Sequence, residues 1–581
     1  MTQQIDRRDF MKAGVAAGVL AALDVGPVVA QSAPTPSDGP AIYYNGHILT
    51  MERDTPEYAE ALAVQDGRIV FVGSREAANQ AIGTARQVDL QGRTLLPGFI
   101  DSWGHFTLFA QQTLGVNVAY FSDKPPKAKA DVIKLLKDTP PFNGWIIGYG
   151  YDAARLADGS LSLADLDAAF PTTPVMVCTL STLTGQVNSA GIAKLGLTPD
   201  TKVDQPGQIV KDPKTGRLSG ELMFSPFLAA HAAAVGGYSQ AQALKTFKAA
   251  EALLAGQGYT TVQSYQLQRD EIGNLRAAFD QGVISLDVIG MPSVSDAATG
   301  KMVQEADWKW GAYSHGDRGL KIPGFQIATD AAPQLRLAAF TKPYLDTTGF
   351  PDGWKGLLVP RDLVEHWVGY AYQNDIQVFA YSNGDAGIDL SLAAIEKAIA
   401  ATGKTGDRRT VIAHSYFVRP DQLPTYKKHH IGVSMMPPHF MVYGDLQMKL
   451  LGPERASMES PLASAIQQGL RTTMHCDCPS ASPNMMEAIW TAVTRKTLSG
   501  QVLGPDERIS PYAALLSATR NVAYTYREEA LKGTLSVGKI ADLVILDGNP
   551  LTVPADKIRN IKVVETIKRG KTIYQRSQGA S

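Results

Sequence analysis

The stretch Thr94 to Phe106 reads TLLPGFIDSWGHF, and it limits what the chain can fold into more than any other. The apolar run LLPGFI ends on Asp101, and Trp103 and His105 follow within four residues. A short run of this kind, with Pro97 and Gly98 at its entry, reads as a buried parallel strand with polar residues at its carboxyl end. The same shape recurs in YTTVQSY (Tyr259 to Tyr265), ISLDVIG, GFQIATD, IQVFAY, TVIAH and LRTTMHCD, and earlier in WIIGYG (Trp145 to Gly150) and PVMVC (Pro174 to Cys178). Helical patterns lie between them, at Ser239 to Ala255, Asp362 to Gln373, Ile388 to Ala401 and Met485 to Thr497. Alternation of this type predicts an α/β fold with a parallel sheet under covering helices. A TIM-type (β/α)8 barrel fits best, and there the carboxyl ends of the strands carry the chemistry.

The two ends of the chain have a different texture. AIYYNGHILTM and EALAVQDGRIVFVGS, the latter with an Asp66-Gly67 turn, predict β-hairpins, and GTLSVGKIADLVILDGNP with NIKVVETIKRGKTIYQ matches them at the far end. Each piece is too small to bury a core alone, so together they predict a small β-sandwich built from both chain ends. The domain reading is a signal peptide over 1–30, a flexible tail over 31–40, sandwich over 41–95, barrel over 96–530 and sandwich again over 531–575.

Residues Asp6 to Lys12 (DRRDFMK), an apolar run from Ala13 to Leu23 and Val28-Val29-Ala30 have the order of a twin-arginine export signal. The run is too short for a stable membrane anchor. Cleavage is expected near Ala30, giving a periplasmic or secreted protein. The net charge of -1 points away from nucleic acid and anionic membranes and toward a small-molecule substrate. Three cysteines, Cys178, Cys476 and Cys478, do not make a disulfide framework. Oligomeric state is open, a homo-oligomer included.

GYGYD (Gly148 to Asp152), NSAGIAKLGL (Asn188 to Leu197), NGDAGID (Asn383 to Asp389), AVTRKT (Ala492 to Thr497) and GKIADLVILDGNPL occur in this order. With the strand at Thr94 to Phe106 they resemble the YtcJ-like branch of the amidohydrolase superfamily, from about Ala41 to Gln575. The resemblance implies a barrel hydrolase of amide-like or other C–N bonds. It also implies a binuclear metal site of two histidines on the first strand, a bridging lysine, two further histidines and a late aspartate, in which metal-bound water attacks the carbonyl.

Against that pattern, Trp103 takes the place of the first histidine and His105 keeps the second. Gln326 stands for the bridging lysine, with Asp330 kept, and Lys321 is its one rival. Tyr381 replaces another histidine, Leu183 an upstream pocket histidine, and His414 and the late Asp477 survive. Asp477, His414, Tyr381 and His105 are therefore the expected catalytic set. Trp103, Gln326, Asp330, His439 and Tyr151 are the expected substrate contacts. His439 takes its place from the resemblance, and Tyr151, with Tyr149, Phe440 and Tyr443, from the hint of an aromatic ligand.

The usual binuclear cage is not expected. The cofactor is one divalent metal such as zinc on His105, His414 and Asp477, or none. His475, Cys476 and Cys478 around Asp477 are weighed as a relocated metal site, and His429 and His430 as a solvated helix end. Three functions stay open: a hydrolase with one ion, a metal-independent acid–base enzyme on the same barrel, and a non-catalytic binding protein.

Overall fold

The computed structural model describes residues 39–203 and 207–577, so the stretch expected to be an export signal lies outside the described residues. Eight parallel segments follow one another in chain order. They are Phe99–Ile100, Tyr259–Tyr265, Asp287–Met291 continued by Ser293–Val294, Arg318–Lys321 continued by Gly324–Ala328, Gln377–Ser382, Val411–His414, Gly432–Met435 and Thr472–Met474. Each pairs in parallel with the next. Pro292 and Pro323 fall at the two breaks, where a strand without an N–H must interrupt its ladder. The last segment returns to the first through Ser102, whose hydroxyl donates to the Met474 carbonyl at 2.9 Å and lies 3.0 Å from the Ser434 hydroxyl. This is the (β/α)8 barrel.

Helices cover the strands as the apolar spacing predicts. Gln240–Ala255 starts at Ser239, whose hydroxyl accepts from the Gln242 N–H while the Gln242 side chain accepts from the Ser239 N–H, a reciprocal cap. Met485–Thr494 stops three residues short of its expected end at Thr497. Arg495 turns into the left-handed region at φ 55°, and its guanidinium donates to the carbonyls of Ser457, Glu459, Ser460 and Leu503.

WIIGYG and PVMVC are not barrel strands. They lie at Ile146–Tyr151 and Val175–Thr179 in a separate six-stranded sheet inserted between the first and second barrel strands. A short apolar run is the same in either sheet, so its pattern does not say which one it joins.

Both chain ends meet in one eight-stranded sheet, with Asp66 and Gly67 in the positive-φ turn that Asp-Gly favours. Tyr43, Leu62 and Val64 share a buried cluster with Leu543, Ile545 and Ile567. The sheet is fastened to the barrel by buried ions. Asp287 accepts from Lys532 and Lys568, each at 2.6 Å; Lys568 also reaches Asp542 at 2.7 Å, and Lys532 and Lys321 reach Glu528 at 3.4 and 3.1 Å. Lys321 is thus committed to Glu528 and to the Tyr526 carbonyl, and is not a bridging lysine.

Burial alone would raise the Asp287 carboxyl, but the two ammonium groups outweigh it and hold its pKa far below the usual range. Burial works against charge on Lys532 too, and Asp287 and Glu528 overcome it and raise its pKa. The aspartate therefore contributes stability above its unfolded pKa, lost as pH falls through the folded one; the lysine contributes below its unfolded pKa, lost as pH rises through the folded one. Asp287→Asn leaves two lysines buried beside a neutral partner. It should cost about 3–5 kcal/mol in denaturant unfolding, whereas an exposed pair such as Lys134–Asp138 should cost under about 1 kcal/mol.

Candidate active site

The first strand ends in a turn that only this sequence allows. The Asp101 carboxylate accepts from the Trp103 N–H at 3.2 Å, and the Gln263 side chain accepts from the Gly104 N–H at 2.8 Å. A Cβ on Gly104 would stand 2.1 Å from the Asp101 carboxylate, so any larger residue would force the turn open. Burial raises the Asp101 pKa to about 7. The turn throws Trp103 inward and His105 toward the mouth.

Trp103 is completely buried among aromatic rings. Its ring centroid lies 4.7 Å from Tyr265, 5.5 Å from His414, 6.0 Å from Tyr381 and 6.5 Å from His475. The indole N–H has no hydrogen-bond partner among the described residues. His414 stacks on His475 at 4.9 Å and 21°, and on its other side on Tyr416 at 4.9 Å and 23°. Tyr416 in turn stacks on His439 at 4.4 Å. A continuous column of rings thus crosses the ends of the sixth, seventh and eighth strands.

Two of these imidazoles are held neutral. Burial pulls the pKa of His414 and of His475 well below the ordinary histidine value, and on His414 it outweighs the nearby Asp477 charge. His414 Nδ1 and both ring nitrogens of His475 have no partner among the described residues. Tyr381 lies 4.6 Å from His414 and parallel to Tyr265 at 6.4 Å and 7°. Burial raises its pKa, so its phenol keeps the proton.

Asp477 carries the site's negative charge. Burial pushes its carboxyl up, but His105 beside it, with a hydrogen bond from Ser480, holds it below the usual carboxylate range. His105 Nε2 stands 3.2 Å from Asp477 Oδ1, within ion-pair reach, although the N–H does not aim at the oxygen. Asp477 sits at φ 50° just beyond its strand, and His105, at φ −125°, stands at the start of the helix Phe106–Gln112. The His105 N–H donates to the Cys478 carbonyl at 2.9 Å, tying the first and eighth strand ends together.

The expected residues therefore divide. Trp103, His105, Tyr381, His414 and Asp477 come together at the strand ends. Gln326 lies behind them, its carbonyl oxygen accepting from Ser293 and its amide nitrogen without a partner. His439 is wedged between Glu459 at 2.6 Å and Gln334 at 2.9 Å.

Asp330 is not free to meet a substrate. Its two oxygens accept from the N–H groups of Ala339, Asn383 and Gly384 and from the Asn383 side chain, so it fixes the loop after the fifth strand. Tyr151 is also displaced from its expected role: its hydroxyl accepts from the Leu161 N–H at 2.6 Å and its ring packs in the core of the inserted sheet. Cys476 accepts from the Tyr259 hydroxyl at 3.6 Å, while Cys478 bonds through its backbone, so the pair does not join Asp477 in a metal site. His429 and His430 do lie at a helix end, but His429 is not solvated: its side chain is 9% exposed and pairs with Glu396 at 3.0 Å, and only His430 is exposed.

Sequence reasoning missed Tyr265, Tyr416 and Glu459. The last residue of YTTVQSY offered a signal for Tyr265, since strand-end residues line the mouth.

The Amidohydrolase family matches residues 86–574. The chain belongs to the amidohydrolase family. It is similar to an N-substituted formamide deformylase of Arthrobacter pascens, at 24% identity over 89% of this chain and 95% of that protein. It also resembles the YtcJ protein of Bacillus subtilis (strain 168), at 24% identity over 92% of this chain and 100% of that one. A solved structure of an uncharacterized metal-dependent hydrolase from Pyrococcus horikoshii OT3 superposes with a TM-score of 0.70, at 21% identity, over 89% of this chain and 99% of that chain. That likeness speaks for the fold.

For an amidohydrolase, the donor set is unusual. Among the described residues no group of three or more His, Cys, Asp or Glu side chains stands close enough to hold an ion. The indole of Trp103 gives no lone pair to a metal, and it fills the space between His414 and Tyr265. Trp103→Ala would empty that space. It should cost about 3–5 kcal/mol in denaturant unfolding, as large-to-small core changes do.

Proposed function

We propose that this amidohydrolase is exported and cleaves amide-like or other C–N bonds of a small molecule with an aromatic or apolar face, using protein groups where relatives use a binuclear metal centre. One observation carries the reading: Trp103 is packed against His414, His475, Tyr381 and Tyr265 at the strand ends. Gln326 and Tyr381 at two further ligand positions support it. The name of the Arthrobacter pascens relative supports the C–N bond as target. The leader with Arg7 and Arg8 supports delivery to the periplasm or outside the cell.

In this reading Asp477, ionised at neutral pH, takes the proton of an attacking water. Tyr381 keeps its own proton and donates a hydrogen bond to the carbonyl oxygen as negative charge builds there. His105, beside Asp477, shares the captured proton and passes it to the departing nitrogen. His414, neutral, leaves the Asp477 charge uncancelled from the buried side. Tyr265, backed by the buried Trp103, supplies a flat wall against which an aromatic substrate lies. Such acid–base groups contribute about 10²–10⁴-fold, which suits a reactive amide such as a formamide better than a peptide bond.

Hydrolysis of a panel of N-aryl and N-benzyl formamides by the purified mature protein tests this. Activity should survive exhaustive chelation, and Asp477→Asn should lower kcat by about 10²–10⁴-fold. Activity lost on chelation and restored by zinc would overturn the metal-free part. Turnover unaffected by Asp477→Asn would overturn the assignment of the base. Because the Asp477 pKa is lowered, its basic form persists as pH falls, so kcat should hold down to the ordinary carboxylate range of about 4 and decline only below it. A profile that already falls between about pH 7 and 6 would instead point to a histidine as the base.

A further inference from the structure

A second group of reactive side chains lies away from the strand ends, where the short strand Tyr313–His315 turns back into Arg318–Lys321. The Ser314 hydroxyl is 2.8 Å from His315 Nδ1, and His315 Nε2 is 3.1 Å from the Asp280 carboxylate, at the end of the helix Arg269–Asp280. A carboxylate only accepts, so in the neutral ring Nε2 carries the hydrogen and Nδ1 is left to accept from the serine. The chain of bonds therefore runs from hydroxyl to imidazole to carboxylate, the order that activates a serine nucleophile.

Two features hold Ser314 in place. The Leu320 N–H donates to its oxygen at 3.1 Å, and Gly319, at φ +99°, leaves the room it occupies; a Cβ there would stand 2.5 Å from the Ser314 oxygen. With one bond accepted and one donated, the oxygen keeps a lone pair for attack. Beside it opens a surface concavity of about 390 Å³, with Trp308, Leu320 and Ile322 as apolar wall and Arg276 and Lys309 as cations.

We propose that Ser314, His315 and Asp280 form a second, serine-based acyl-transfer site for small activated esters with an apolar acyl group. The Ser314 oxygen bonds to the carbonyl carbon as its proton moves to His315 Nδ1. The ester C–O bond then breaks, the imidazolium returns that proton to the departing alkoxide or phenoxide, and acyl-Ser314 remains. Water adds to the acyl group by the same route in reverse, releasing the carboxylic acid and the free serine. Asp280 holds the imidazolium in between. Lys309 supplies positive charge in the wall for the carbonyl oxygen's negative charge, while Arg276 is bound through two nitrogens to Asp307.

The test is reaction of the full chain with an alkyl fluorophosphonate, with the adduct located by peptide mass mapping, alongside hydrolysis of p-nitrophenyl butyrate. The adduct should form on Ser314 and vanish in Ser314→Ala, which should also lose most ester turnover. His315→Ala should slow adduct formation by about 10²-fold or more. Asp280→Asn, an exposed change that leaves the hairpin untouched, should slow it measurably while thermal unfolding stays the same. No adduct on Ser314 would overturn the proposal, and so would an adduct that forms equally fast in His315→Ala and Asp280→Asn.

Discussion

Packing of the Trp103 indole against two neutral imidazoles and two phenols is the contact on which the mouth of the barrel depends. A cage for two divalent ions holds several ligands of like character close together, and the ions' charge is what makes that arrangement stable. Without that charge, histidines and carboxylates in a dry cavity would be left desolvated and mutually repelling. In this chain the first, fourth and fifth strands bring the Trp103 indole, the Gln326 amide and the Tyr381 phenol to this end of the barrel. None of the three carries charge at neutral pH, and the indole and phenol rings fill the volume. The Asp477 carboxylate then needs one partner, and His105 supplies it, while Asp101 and Asp330 accept from backbone N–H groups.

The same contact explains why the surviving histidines behave differently from one another. His105 lies at the open edge beside the carboxylate, its side chain 15% exposed. His414 and His475 lie inside the ring column, where their stacked neighbours offer no hydrogen bonds. An imidazole in such surroundings has only its π-face to use, so burial decides its charge. Position relative to the column therefore separates a histidine beside a carboxylate from packing ones, a distinction that residue type alone does not make.

Much of this was legible in the sequence because it is local. LLPGFI followed by Asp101 and His105 names a strand and its functional end together, and Asp66-Gly67 fixes a hairpin by its need for positive φ. The substitutions at Trp103, Gln326 and Tyr381 could be placed because neighbouring motifs anchor their register. What was not legible depends on contacts distant in sequence. WIIGYG has the composition of a barrel strand and becomes part of an inserted sheet. Asp330 has the look of a site carboxylate, and only the folded loop shows its oxygens taken up by Ala339, Asn383 and Gly384. Tyr151 likewise sits in a motif at a strand end, yet its hydroxyl is used up within the insertion.

The two ends of the barrel use charge in opposite ways. At the strand starts, Asp287, Asp542 and Glu528 are matched by Lys321, Lys532 and Lys568, all buried, so every ion has a counter-ion and the terminal sheet is locked to the barrel. At the strand ends, Asp477 meets one histidine and neutral rings, while Asp101 and Asp330 rest on hydrogen bonds from the neighbouring backbone. A fully paired network resists any change in protonation, because moving one proton strands several partners. A sparse one lets a single proton move at little cost to its surroundings. The paired ions and the sparse pair thus lie at opposite ends of the same strands, so the base of the barrel holds the fold whatever the side chains at the mouth are.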